Sequence, residues 1–135
     1  MHDLILHINS KFEKLIDSDY CSFEKVASLK NVMGVYMIYD ENKQLLYIGN
    51  TNKFHIRFGT DLKHETTHTL VRKLISKGLY NDRYEVVNFL KNQCYVRIAK
   101  CDSKREAEAL EHLAIYILDP PYNNHYFGLT AKENK

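Results

Sequence analysis

The stretch Gly34-Val35-Tyr36-Met37-Ile38-Tyr39-Asp40-Glu41-Asn42-Lys43-Gln44-Leu45-Leu46-Tyr47-Ile48-Gly49 decides the fold. Two runs rich in β-formers, residues 34–40 and 44–49, flank the turn-forming Asp40-Glu41-Asn42-Lys43, and together they read as a β-hairpin. Tyr36 and Tyr47 sit in its facing strands, where cross-strand neighbours approach to about 5 Å.

Upstream, Leu4, Ile5, Ile8, Phe12, Leu15 and Ile16 recur at three and four, which predicts an amphipathic helix ending near Asp17. Ser22 can cap a short helical turn holding Phe23, Val26, Ala27 and Leu29. Downstream, the polar Asn50-Thr51-Asn52 precedes a basic stretch, 53–63, that reads as a helix despite Gly59. A second helix over 66–77 stops at Gly78. Asn81 or Asp82 then caps a segment with Val86, Val87, Phe89 and Leu90, and residues 94–101 alternate like a half-buried strand. Ser103 caps a last helix from Lys104 to Leu118, stopped by Pro120 and Pro121. The order implies a small α/β sheet covered by helices.

The 135 residues, 44% hydrophobic and 27% charged, suit one domain. No apolar run approaches the ~18 residues that span a bilayer, and the N-terminus lacks the apolar core of a signal peptide, so a cytoplasmic protein without a membrane partner is expected. Cys21, Cys94 and Cys101 form no CxxC pair and read as reduced thiols. The net charge of +2 hides an uneven distribution. Residues 1–49 carry five Lys against seven acids, residues 78–135 balance at eight each, and residues 50–77 carry six Lys or Arg against two acids. His55, His64 and His68 are interleaved there. A patch of this kind suits a polyanion, although a Lys-rich solvated helix face has the same composition.

Glu111 interrupts an apolar stripe. On a helical wheel Ala107, Leu110, Ala114, Ile115 and Leu118 all lie on its side. A carboxylate so placed is protonated, paired with a cation, bound to a metal, or swung out at the rim of the face; Arg57 is an attractive partner. Ten Tyr with no Trp is a second anomaly, and phenols beside a basic segment either bind phosphate and move protons or serve as amphipathic core residues.

Gly34-Val35-Tyr36, ten residues, then Tyr47-Ile48-Gly49 resembles the paired signature of the GIY-YIG nuclease family. Arg57, ten residues after Tyr47, Glu111 on a late helix, and Pro121-Tyr122-Asn123 resemble its further elements in the same order, and Glu111-His112 resembles the excision-repair branch. The resemblance runs from about Asn31 to Asn124 and is far more specific than a lone tripeptide. It implies an α/β fold with a three-stranded, mostly antiparallel sheet flanked by helices. Residues 1–30 would form an N-terminal helical extension packed on the core, 31–127 the nuclease-like domain, and 128–135 a frayed tail. It also implies hydrolysis of a phosphodiester in DNA, RNA being a second substrate class, with one Mg²⁺ or Mn²⁺ held by Glu111. In that reading Arg57 clamps the scissile phosphate and Tyr36 is the general base or positions the water. Tyr47 supports the phosphate or water, and Asn123 holds the architecture. Gly34 and Gly49 let the backbone approach the substrate or make the turns that aim the tyrosines.

Two departures accompany the likeness. Asp61 stands where some branches have a histidine, which leaves His64 or His68 as replacements, and Asn50 stands where the repair branch has a lysine, which leaves Lys53 to supply the charge. His68, Arg72 and Lys73 on the next helix are further nucleic-acid-binding candidates. Cutting both strands needs a homodimer or sequential nicking, since one active site cleaves one strand per encounter. The rival to an endonuclease is a nucleic-acid-binding or inhibitory protein that keeps the fold and has lost the chemistry; a protein-interaction module is the third.

Overall fold

The computed structural model describes residues 2–63, 69–78, 80 and 82–123. Three strands, β1 (Gly34–Tyr39), β2 (Leu45–Thr51) and β3 (Tyr95–Lys100), form one sheet in the order β2-β1-β3 with both pairings antiparallel. Helix α1 (His2–Asp17) and α2 (Phe23–Ala27) precede the hairpin, α3 (Thr69–Ser76) and α4 (Arg83–Gln93) lie between β2 and β3, and α5 (Lys104–Leu118) closes the fold. The expected α/β class is the observed one.

β1 is central and covered on both faces, which is why all six of its residues are buried and its sequence is almost continuously apolar. The strand period of two sends Tyr36 and Ile38 into one core and Val35, Met37 and Tyr39 into another. The first core collects Phe23, Phe54, Phe58, Leu70, Val86 and Leu90 from short elements. The second is filled by Leu15 of α1 and by Ala107, Leu110, Ala114 and Ile115 of α5. The hairpin turn is tied by Asp40 Oδ1, which accepts from the amides of Asn42 (2.8 Å) and Gln44 (2.9 Å).

Capping follows the sequence closely. Ser22, Asp82 and Ser103 accept from the amides of Lys25, Glu85 and Glu106, and Asp119 ends α5 in the left-handed region at φ 47° before the two prolines. α1 is anchored on α5 and β3 by Leu15, by a His7–Glu106 contact, and by Lys11 Nζ donating to the Lys100 carbonyl at 2.6 Å.

The basic stretch departs from its expected helix. Residues Ile56–Thr60 form a π turn, closed by the Asp61 amide donating to the Ile56 carbonyl, and Asp61–Lys63 form a 3-10 turn. Gly59 weakens a regular α-helix at this point, and beyond the π turn the Arg83 guanidinium donates to the carbonyls of Asp61 and Leu62. The wide turn still keeps Phe54, Phe58 and Leu62 on one buried side. The expected helix over 66–77 is observed as α3 from Thr69, its first residues and the frayed tail lying outside the described residues.

Candidate active site

β2 is an edge strand, and the candidate residues gather on both of its sides. Tyr36 pairs in register with Gly49, and Tyr47 lies one step diagonally along the same face, with ring centroids 6.3 Å apart. A Cβ on Gly49 would come within 2.5 Å of Tyr36 Oη and 2.6 Å of its Cζ. The second glycine is therefore the space in which the phenol lies across the strand. Gly34 makes room of another kind: a Cβ there would stand 2.0 Å from the Ala99 carbonyl oxygen, so it permits the close pairing of β1 with β3. Both glycines make room for close packing within the chain.

The Tyr36 ring is wholly buried, edge-on to Phe58 at 5.0 Å. Its hydroxyl accepts a hydrogen bond from Arg57 Nε at 3.3 Å, and Arg57 NH1 donates to Asp61 Oδ2 at 3.4 Å. The π turn aims Arg57 at this spot. Burial pushes the Tyr36 phenol above its ordinary pKa, against the pull of the Arg57 charge; Glu111 and Asp61 add to the rise. Burial also works against the Arg57 charge, but the Tyr36 oxygen and the Asp61 carboxylate outweigh it and hold the guanidinium above its ordinary value. The arginine stays a cation at every relevant pH.

On the other side of β2, Asn50 points with Ile48 toward α5, where its Nδ2 donates to Glu111 Oε1 at 2.5 Å. Glu111 is half-buried, as its place in the apolar stripe suggested, but its partner is Asn50 and not Arg57. Burial pushes the carboxyl above the usual range, while the Asn50 amide and the His112 charge pull it back.

Asn123 closes the edge of the sheet. Its Oδ1 accepts from the Ile48 amide at 2.7 Å and its Nδ2 donates to the Ile48 carbonyl at 2.8 Å, so one side chain stands in for a missing strand. Lys73 on α3 holds the same segment, donating to the Tyr122 carbonyl at 2.6 Å, and its ammonium lies 5.9 Å from the Tyr47 ring centre. Burial lowers the Lys73 pKa, with the charges of Arg72 and Lys77 adding to the fall. Arg72 is exposed on the same helix, and Lys53 is exposed on the turn after β2. His64 and His68 lie outside the described residues.

Sequence reasoning missed Asn50 and Asp61 as members of this constellation. Asp61 had a signal, being one helical turn beyond Arg57. Asn50 stood out as the residue in place of the repair branch's lysine, but its contact with Glu111, 61 positions away, was not legible.

The model of the GIY-YIG catalytic domain matches residues 32–123, two-thirds of the chain, and the protein belongs to that family. It is thus a member of a nuclease family whose enzymes generally depend on a divalent metal and act on nucleic acid. No curated protein matches the chain. Among the described residues no helix is long and apolar enough to cross a membrane.

Proposed function

We propose that the protein is a metal-dependent endonuclease that hydrolyses phosphodiester bonds in DNA. The observation that carries this reading is the convergence of Arg57 on Tyr36, with Glu111 across β2, in a fold of this family. Glu111 would hold Mg²⁺ or Mn²⁺. Glu111 offers a hard carboxylate, and among the described residues no group of three His, Cys, Asp or Glu is gathered. Such a carboxylate suits a cation that keeps several waters and takes a substrate phosphate as another ligand. When bound, such a cation supplies Lewis-acid stabilisation of charge on the phosphoryl oxygens.

The chain's own groups do the rest. Arg57 binds the scissile phosphate with a guanidinium that Tyr36 and Asp61 already orient, so little reorganisation is left for the transition state. Tyr36 takes the proton of the attacking water, the Arg57 Nε–H contact lowering the cost of the phenolate. Tyr47 supports the phosphate or water from the same face. Asn123 keeps β2 in place from its outer edge. Lys53, Arg72 and Lys73 attract the backbone of the substrate, and the loss of counterions on binding makes that attraction steeply dependent on salt.

Supercoiled plasmid, a branched DNA and a structured RNA are incubated with Mg²⁺, Mn²⁺ or EDTA, using the wild type and Glu111→Ala. Cleavage of DNA that requires metal and disappears in Glu111→Ala, with DNA binding retained, is the expected outcome; full activity in Glu111→Ala sinks the metal-site assignment. A second reading is favoured by one observation, the buried and neutral Tyr36 phenol: a nucleic-acid-binding or inhibitory protein without chemistry. Salt-sensitive binding with no cleavage of any substrate would establish it.

A further inference from the structure

Among the described residues, the side chain that reaches the Glu111 carboxylate from another element is Asn50, from β2 across to α5. An ionised carboxylate only accepts hydrogen bonds, so the contact must be made by the amide NH₂ and not by the amide oxygen. It engages Oε1 and leaves Oε2 as the oxygen not occupied by Asn50. The amide is neutral, so it orients the carboxylate without cancelling its charge, as an ammonium in its place would. Asn50 is itself fixed by pairing with Val35 in the sheet, which gives it the rigidity of a strand.

Resting on the reading of Glu111 as the metal ligand, we infer that Asn50 is a positioning residue that restricts Glu111 to binding a divalent cation through one oxygen. This restriction has a consequence for which cation is taken. Magnesium demands a compact octahedral shell, and manganese takes octahedral oxygen sites of similar kind, whereas calcium has a larger shell and readily takes both oxygens of one carboxylate. Asn50 therefore sets a preference for the smaller ion as well as the orientation of its ligand. Partners that orient a metal ligand are typically worth about 10–100-fold in metal affinity.

The test measures cation binding directly. Mn²⁺ is titrated into the full chain by electron paramagnetic resonance and water-proton relaxation, with Ca²⁺ as competitor, for the wild type, Glu111→Ala, Asn50→Ala and Asn50→Asp. Asn50→Asp keeps the shape and replaces the donor by an acceptor, and thermal unfolding verifies that each variant is folded. The expected result is loss of the bound-Mn²⁺ signal in Glu111→Ala, about tenfold weaker Mn²⁺ binding in Asn50→Ala, and a Mn²⁺ over Ca²⁺ preference that falls about tenfold in both Asn50 variants. Loss in Glu111→Ala with wild-type affinity and preference in both Asn50 variants overturns the role of Asn50 and leaves the Glu111 assignment standing. Undiminished Mn²⁺ binding in Glu111→Ala overturns both.

Discussion

The two faces of the sheet are built differently. One face is closed by two long helices, α1 and α5, of 16 and 15 residues, over a mainly aliphatic filling in which Tyr39 is the buried ring. The other is closed by short helices and a π turn over a cluster of rings: Phe23, Tyr36, Tyr47, Phe54 and Phe58. Long helices bury a continuous stripe and leave few polar groups to satisfy. Short, irregular elements leave polar tips inside, and here those tips are the Tyr36 hydroxyl and the Arg57 guanidinium. The aliphatic face is a foundation, and the aromatic face holds the groups to which the proposed function gives the chemistry. Glu111 belongs to the foundation by its helix and to the site by its position at the strand edge.

Removing the Tyr36 hydroxyl tests the aromatic face most severely. Tyr36→Phe keeps the ring and its packing on Phe58 but loses the oxygen that Arg57 addresses. General-base contributions of this kind are about 10²–10⁴-fold, so kcat should fall by that much while DNA binding persists. The pH dependence follows from the raised phenol pKa. The basic form is the minority at pH 7 and grows as pH rises toward a value above the ordinary phenol range, so kcat at saturating DNA and metal should climb about tenfold per unit between pH 6 and 9. A plateau below pH 8 removes Tyr36 as the base. Arg57→Lys is the next largest effect. A point charge cannot address both Tyr36 and a phosphate as the planar guanidinium does, and loss of one such preorganised donor costs about 10²–10³ in kcat.

The opposite face should respond in stability and not in chemistry. Leu15 is fully buried against α5 and β3. Leu15→Ala should lower unfolding free energy by about 2–5 kcal/mol in denaturant titrations, leaving kcat unchanged well below the melting temperature. A loss of kcat with intact stability would erase the distinction between the faces. Gly49→Ala crosses that line, since its Cβ meets the Tyr36 phenol: it should cost about 1–3 kcal/mol of stability and a large part of the activity together.

How far the sequence alone foretells this arrangement depends on whether each piece is local. The hairpin, the caps at Ser22, Asp82 and Ser103, and the end of α5 before Pro120 are written in short-range chemistry and appear where expected. The intrusion of Glu111 into an apolar stripe is legible for the same reason, as a residue out of phase with its helix. The π turn was not legible, because Gly59 marks a weak point in a helix without saying whether a wider or a tighter turn replaces it. The pairing of Asn50 with Glu111 was hidden by its separation of 61 positions in sequence. Tyr36 and Tyr47 could be placed on facing strands, but the burial of Tyr36 over Gly49 depends on which face the strand pairing selects, and only the assembled sheet decides that.

The smallest expected effect separates two neighbours on α3. Arg72 is exposed, and the proposed function has it attract a phosphate from solution. Arg72→Ala should reduce the slope of log Kd against log salt by about one and weaken binding evenly across DNA sequences, with kcat unchanged. Lys73 has a different setting, its ammonium held on the Tyr122 carbonyl beside the Tyr47 ring. Truncating it releases the segment that carries Asn123, and with it the support of β2 at Ile48. Lys73→Ala should therefore lower kcat and unfolding stability as well as binding, the stability by about 0.5–1.5 kcal/mol for the lost hydrogen bond. If the two variants changed the salt slope alike and left kcat alone, Lys73 would belong with Arg72 as a surface contact, and the aromatic face would end at Tyr47.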